Sequence, residues 1–217
     1  MLIQSISGIR GTIGGPAGQG LTPKDIVRFG MGYAAWVKEQ AADARPLVVI
    51  GRDARLSGQM LRDVLAGTLQ AMGVDVLDLG LSTTPTVELA VPAEGAHGGI
   101  ILTASHNPRQ WNALKLLDAR GEFLNAAEGE RVLAFAAQEL EAVEVDDLGQ
   151  IRHDDHWMQR HIDHALGLEL VDAPAVRAHG LKVAVDAVNS TGGLILPALL
   201  EAMGVEVVRV HCEPTGD

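Results

Sequence analysis

The chain has 217 residues, 47% of them hydrophobic and 21% charged, with 17 Lys and Arg against 28 Asp and Glu for a formal net charge of −11. This composition describes a globular chain with a sizeable core and excludes a disordered or fibrous one. An acidic surface with no Lys/Arg stripe argues against nucleic acid as a partner. No apolar run approaches the roughly 18 residues of a spanning helix, and the opening residues carry neither a basic region nor a long apolar one. A cytoplasmic protein with no membrane partner is expected. Cys212 is the only cysteine, so neither an internal disulfide nor a cysteine zinc cluster is available.

In chain order, Thr22 is placed to cap a helix that Pro23 opens and that runs to about Ala42, with Asp25 three residues after the cap. Phe29, Tyr33 and Trp36 read as its core-facing residues. Pro46 to Ile50 is a short β-branched run, as in a buried parallel strand. After a polar loop from Gly51 to Gly58, Ser57 is placed to cap a helix whose apolar face is Met60, Leu61, Val64, Leu65, Leu69 and Met72, and Gly73 ends it. Val74 to Leu79 is a second strand. Pro85 opens a short helix that Pro92 should close, Gly99 to Thr103 is a third strand, Trp111 to Leu117 another, and Ala126 to Leu140 a helix. The alternation predicts an α/β fold, a mixed, mostly parallel sheet sandwiched between helices.

Residues 65–79 align without gaps to residues 196–210, with an identical Ala-Met-Gly-Val core. Each copy follows an apolar strand and a polar loop, so a strand-loop-helix-strand unit occurs twice. The duplication places a boundary near residues 145 to 155. Residues 1–150 then form a first domain, and residues 151–217 a linker helix and the start of a second domain of the same repeat. The register carries the second counterpart of residue 105 past position 217, so a fragment of a longer protein is expected.

Ligands of open α/β sheets bind beyond the carboxyl ends of the strands. Two loops stand there, Gly51 to Gly58 and Thr103 to Pro108, and a glycine-rich stretch from Ser7 to Gly15 precedes both. Arg10, Arg52, Arg55, Arg109 and Lys115 fall in or near them, which suits a phosphorylated small molecule. Familiar signatures fail. Gly15 and Gly20 have P-loop spacing but are followed by Leu21 and Thr22, no G-x-G-x-x-G follows a strand, and Ala104 and His106 flank Ser105 where a nucleophile elbow has glycines. His153, His156, His161 and His164 read as a solvated linker helix in preference to a metal site, because their spacing spreads them around the helix. Asp53 reads as fixing its own loop through Arg55.

Thr103-Ala-Ser-His-Asn-Pro108 resembles the phosphoserine loop of the α-D-phosphohexomutases, which comprise the phosphoglucomutases, phosphomannomutases and phosphoglucosamine mutases. In the same order, Gly8-Ile-Arg-Gly11, Gly51-Arg-Asp-Ala-Arg-Leu-Ser-Gly58 and Trp111-Asn-Ala-Leu-Lys115 resemble three further motifs of that family. The resemblance covers the whole chain as the first domain and the opening of the second, of four. It implies that Ser105 is the phosphorylated serine, Lys115 a general acid/base, and Arg10 and His106 active-site residues. Arg10, Ser105 and Lys115 would bind substrate, with Arg52, Asp53, Arg55, Ser57 and Asn107 as structural support. It further implies Mg²⁺ as cofactor, held through the Ser105 phosphate and by ligands beyond residue 217, a phosphorylated hexose or hexosamine as substrate, and the remaining domains as partners. A bisphosphate intermediate would link the 1- and 6-phosphates. Ala113 departs from the family's usual glycine. The chain alone is expected to be inactive, because the metal, sugar-selecting and terminal phosphate loops lie beyond it. Ser-Gly-Ile-Arg-Gly leans toward phosphoglucosamine mutase. Phosphomannomutase and phosphoglucomutase stay open, and a non-catalytic phosphosugar-binding module and a metal-dependent phosphatase are the rivals.

Overall fold

The computed structural model describes residues 1–5, 8–41 and 45–216. Ser7, in the glycine-rich stretch, and Ala42, the expected helix end, lie outside them. Seven strands form one sheet: β1 (Leu2–Ser5), β2 (Gly8–Thr12), β3 (Leu47–Arg52), β4 (Asp75–Leu81), β5 (Gly98–Leu102), β6 (Trp111–Leu117) and β7 (Ile151–His153). Their spatial order is β1-β2-β6-β5-β3-β4-β7. β5, β3, β4 and β7 pair in parallel, while β6 is antiparallel to both β5 and β2, and β1 to β2. Five strands therefore point one way and two oppose them, the mixed, mostly parallel sheet expected.

The strands alternate their faces, so each strand feeds two cores. On one side Val48, Ile50, Val76, Ile100 and Leu114 pack with α1 (Pro23–Ala41), α2 (Gly58–Ala71) and α4 (Ala126–Ala136). On the other, Val49, Leu77, Ile101 and Leu117 pack with α3 (Thr84–Ala93) and with Trp157 of α5 (Trp157–Leu166). Phe29, Tyr33 and Trp36 are buried in the first core, as the helix pattern implies. Tyr33 spans it to donate to the Leu117 carbonyl at 2.6 Å and that of Gly99 at 3.1 Å, and its burial pushes the phenol far above its usual range.

Several ends differ from the sequence reading. Ser57 precedes α2 but does not cap it. Its backbone is already helical, and its Oγ accepts a 2.9 Å bond from Asn112 Nδ2 instead. A capping hydroxyl needs extended backbone to reach the first-turn amides. α3 runs one residue past Pro92, where the missing N–H costs little at a helix end. α4 stops at Ala136, and Leu140 reaches the first core from non-helical chain.

The repeat is visible atom by atom. β8 (Lys182–Asp186), α7 (Gly192–Ala202) and β9 (Glu206–Val210) reproduce β3, α2 and β4, with β8 and β9 parallel. Both helices end on a methionine followed by a left-handed glycine, Gly73 at φ 74° and Gly204 at φ 81°. In both the next strand opens with the same 3.0 Å bond, Val74 N–H to the Leu69 carbonyl and Val205 N–H to the Leu200 carbonyl. Between α4 and β8 lie a short 3-10 turn (Val145–Asp147), β7, α5 and α6 (Ala173–Ala178). β7 adds to the edge of the first sheet. α5 is not a solvated linker. Trp157 and Ile162 are buried, and α5 touches both α3 and α7. Met158, Ile162, Ala165 and Leu166 recur at helical spacing, so an apolar face is present in the sequence behind the histidines that suggest a solvated helix.

Candidate active site

β3 and β5 end side by side, with Asp53 N–H donating to the Leu102 carbonyl. The loops that follow them meet over the neighbouring β6 and β2. There a cleft of about 420 Å³ is lined by Arg10, Thr103, Ser105, His106, Asn107, Ala113 and Lys115, with Ser5, Gly8, Ala104 and Leu114 completing the wall. Of the predicted residues, Arg10, Ser105, His106, Asn107 and Lys115 share this cleft. Among the described residues that line it, none is acidic, although the chain carries 28 Asp and Glu.

Pairing explains why the two cations meet. Arg10 stands opposite Ala113 in the β2–β6 ladder, and Lys115 is two residues along β6 from Ala113, so all three share one face of the sheet. Ala113 lies in regular strand, so its methyl fits where the family pattern has glycine. Gly8 makes the close approach possible. At φ 127°, a Cβ there would lie 2.1 Å from the Leu114 carbonyl and 3.0 Å from Lys115 Cα. The Lys115 ammonium sits 5.7 Å from the centre of the Phe123 ring. Nearby on α3, burial raises the Glu88 carboxyl above its usual range while Lys115 draws it back down.

Ser105 is exposed, with φ at 53°, in the left-handed region that residues bearing a Cβ seldom occupy. Its hydroxyl faces His106 Nδ1 at 3.5 Å. Its N–H donates to Thr103 Oγ1 at 3.1 Å, and Thr103 Oγ1 donates to Asp53 Oδ2 at 2.6 Å. Asp53 also accepts from the Arg55 N–H at 3.0 Å and pairs with Arg55 Nε at 3.2 Å. The Arg55 head lies over the Ser105 loop, donating to four of its backbone carbonyls.

The remaining residues stand apart. Arg52 donates to Gln59 Oε1 at 3.0 Å, against α2. Arg109 instead lines, with Asp53 and Arg55, a second cavity of about 290 Å³ that shares Ser105, His106 and Asn107 with the cleft and reaches Val188, Ser190 and Gly216. Thr103 and Asn112 were not singled out from sequence. The hydroxyl holds the Ser105 amide, and the fully buried Asn112 ties β6 to Ser57. Position two residues before Ser105 was the available signal for Thr103. The histidines do not converge. His153 pairs with Asp78 at 3.0 Å, His156 with Asp154 at 3.1 Å, and His161 Nδ1 lies 2.9 Å from Thr86 Oγ1. Asp154, Asp155 and His156 form an exposed group close enough to ligate an ion. They lie outside the Ser105 cleft, and Asp154 is already paired with Arg160 at 3.0 Å.

Residues 2–142 match the family model for phosphoglucomutase/phosphomannomutase, alpha/beta/alpha domain I. The chain belongs to this family. A phosphoglucomutase/phosphomannomutase of Thermococcus kodakarensis is 36% identical over 95% of the chain and 45% of that protein. A phosphoglucosamine mutase of Polaromonas naphthalenivorans is 33% identical over 96% and 45%. A crystal structure of a phosphoglucomutase/phosphomannomutase family protein from Burkholderia thailandensis superposes on 100% of the chain and 46% of its own, with a TM-score of 0.79 at 28% identity. The chain thus spans a little under half the length of the relatives it matches, and among its described residues no helix is long and apolar enough to cross a membrane.

Proposed function

We propose that this chain is the phosphoserine-bearing part of a phosphohexomutase that interconverts a hexose or hexosamine 6-phosphate and 1-phosphate. The observation that carries this reading is a nucleophile-bearing left-handed residue, Ser105, exposed in a cleft lined by Arg10 and Lys115 and, among the described residues, by no acid. Phosphoryl transfer asks the protein for positioning and for charge balance in a loose transition state. Ser105 Oγ carries the PO₃ group, gives it to a free hydroxyl of the sugar monophosphate to make a bisphosphate, and takes the other phosphoryl back once the sugar has turned. Lys115 exchanges the proton of the attacking or leaving hydroxyl. Arg10 and His106 donate to the moving phosphoryl oxygens.

Mg²⁺ would fit this site through one donor, an oxygen of the Ser105 phosphate; with no carboxylate among the described residues lining the cleft, its other ligands would come from elsewhere in the whole protein. When bound it offsets the phosphate charge. We divide the chain at about residue 150, after which β7 still adds to the first sheet and α5 touches both α3 and α7. Phosphoglucosamine mutase is the favoured member, supported by the Ser-Gly-Ile-Arg-Gly start and by relatives of that name. A cytoplasmic location is part of this reading, since charged sugar phosphates do not cross bilayers unaided.

Intact-mass analysis of the full-length protein tests the reading. Ser105 should carry a phosphate that exchanges with hexose bisphosphate, and Ser105→Ala should lower isomer interconversion by about 10³-fold or more, as loss of a covalent nucleophile does. A serine that never accepts phosphate points to a binding module. Net release of inorganic phosphate points to a phosphatase.

A further inference from the structure

Arginine has five N–H groups in a rigid planar fork, and in Arg55 all five are spent on the loop around Ser105. Nε meets Asp53 Oδ2 at 3.2 Å. One terminal nitrogen donates to the carbonyls of Pro108 at 2.9 Å and Trp111 at 3.1 Å, the other to those of Ser105 and Asn107, both at 2.7 Å. The side chain is largely buried, with 12% of its surface accessible. No donor is left over for a sugar phosphate. That sets Arg55 apart from Arg10 and Lys115, which line the cleft.

The clamp closes on one residue. The Ser105 carbonyl is held by Arg55 and its N–H by Thr103, and both holders are tied to the same Asp53 carboxylate. Only the hydroxyl-bearing side chain is left to the cleft. The left-handed backbone that aims it there is intrinsically disfavoured for serine, so the loop needs outside bonds to keep it. We propose that Asp53, Arg55 and Thr103 are positioning residues that hold Ser105 in this conformation, so that one hydroxyl geometry serves both the donation and the recovery of the phosphoryl group. The proposal rests on the phosphoserine reading above. Arg55 acts through the loop and touches no substrate.

Two measurements test it. In the 217-residue chain, Arg55→Lys keeps the charge but loses the fork. Amide hydrogen exchange at Ser105 and Asn107 should quicken at least about tenfold, with the amides of β5 unchanged, because local opening is separable from global unfolding. In the full-length protein the same substitution should lower kcat about 100-fold with KM within about twofold, the size of loss that a roughly 1 Å misplacement causes. Guanidinium added to Arg55→Ala should restore part of the rate, and Thr103→Ser should keep more of it than Thr103→Val. Unchanged loop exchange with kcat within about threefold of the parent overturns the proposal; so does a raised KM at constant kcat, which makes Arg55 a substrate ligand. If both Arg55 variants fail to fold, Thr103→Val decides by the same two readouts. Should Ser105→Ala leave interconversion intact, the phosphoserine reading falls, while amide exchange still judges the clamp by itself.

Discussion

The two copies of the repeat share a local code and differ in what surrounds them. In the first, α2 lies on a seven-stranded sheet and Leu65 is 0% exposed; in the second, α7 lies on two strands and the aligned Leu196 is 46% exposed. Helix end, glycine turn and strand opening nevertheless coincide bond for bond. Turn chemistry and strand pairing are therefore set within some 30 residues, whereas burial is set by the number of strands alongside.

The largest test exchanges the twin leucines. Leu65→Ala should cost about 2–5 kcal/mol, as large-to-small changes in a close-packed core do, and Leu196→Ala about 0.5 kcal/mol or less, as at accessible positions. Chemical denaturation of the two variants gives both numbers, and equal losses would break the comparison. The turn glycines provide the opposite control. Gly73→Ala and Gly204→Ala each force a Cβ into the left-handed region at about 1–2 kcal/mol, and the two losses should agree within about 0.5 kcal/mol. A Cβ at Gly204 comes within 2.7 Å of Arg177 Cγ, a side chain able to swing aside, and at Gly73 within 3.2 Å of the Asp147 carbonyl. Neither contact should reverse the agreement.

The smallest effect concerns α5, which bridges the copies. Burial lowers the His161 pKa, and His164 adds to the shift; Glu88 and Arg120 share the adjacent cavity. The folded form then binds fewer protons than the unfolded one, so the stabilisation is complete above the ordinary histidine value of about 6.5 and declines as pH falls through it. Trp157, whose indole donates to Glu94 Oε1 at 3.0 Å, should report this as a fluorescence change between about pH 7 and pH 5. His161→Asn should flatten that change.

Much of the first unit was legible because each element announces itself locally. Trp111 to Leu117 is the strand the sequence predicts, residue for residue, and Thr22 and Asp25 meet at the start of α1 as the capping pattern requires. Arg10 and Lys115 stood out as cations near the loops and took their roles, with that of Ser105, from resemblance; their convergence follows from strand pairing that spacing alone does not encode. What stayed hidden depends on partners without a sequence signature. The Arg55 fork binds backbone carbonyls, which every residue possesses. Ser57 resembles a cap, yet Asn112, 55 positions away, claims its hydroxyl. The docking of α5 was hidden for a related reason, since Trp157 finds its cover on Val87, Ala90 and Val91 of α3, far back in the chain.

β7 is three residues long, but its place in the sheet has a practical consequence. Val76 N–H donates to the Gln150 carbonyl and Asp154 N–H to that of Asp78, so this short strand occupies the outer hydrogen-bonding row of β4. A polypeptide cut after residue 142, where the family match ends, would leave that row and the Trp157 docking surface bare. Open strand borders recruit other chains, so such a truncation should self-associate and precipitate, while one carried through residue 166 should stay monodisperse.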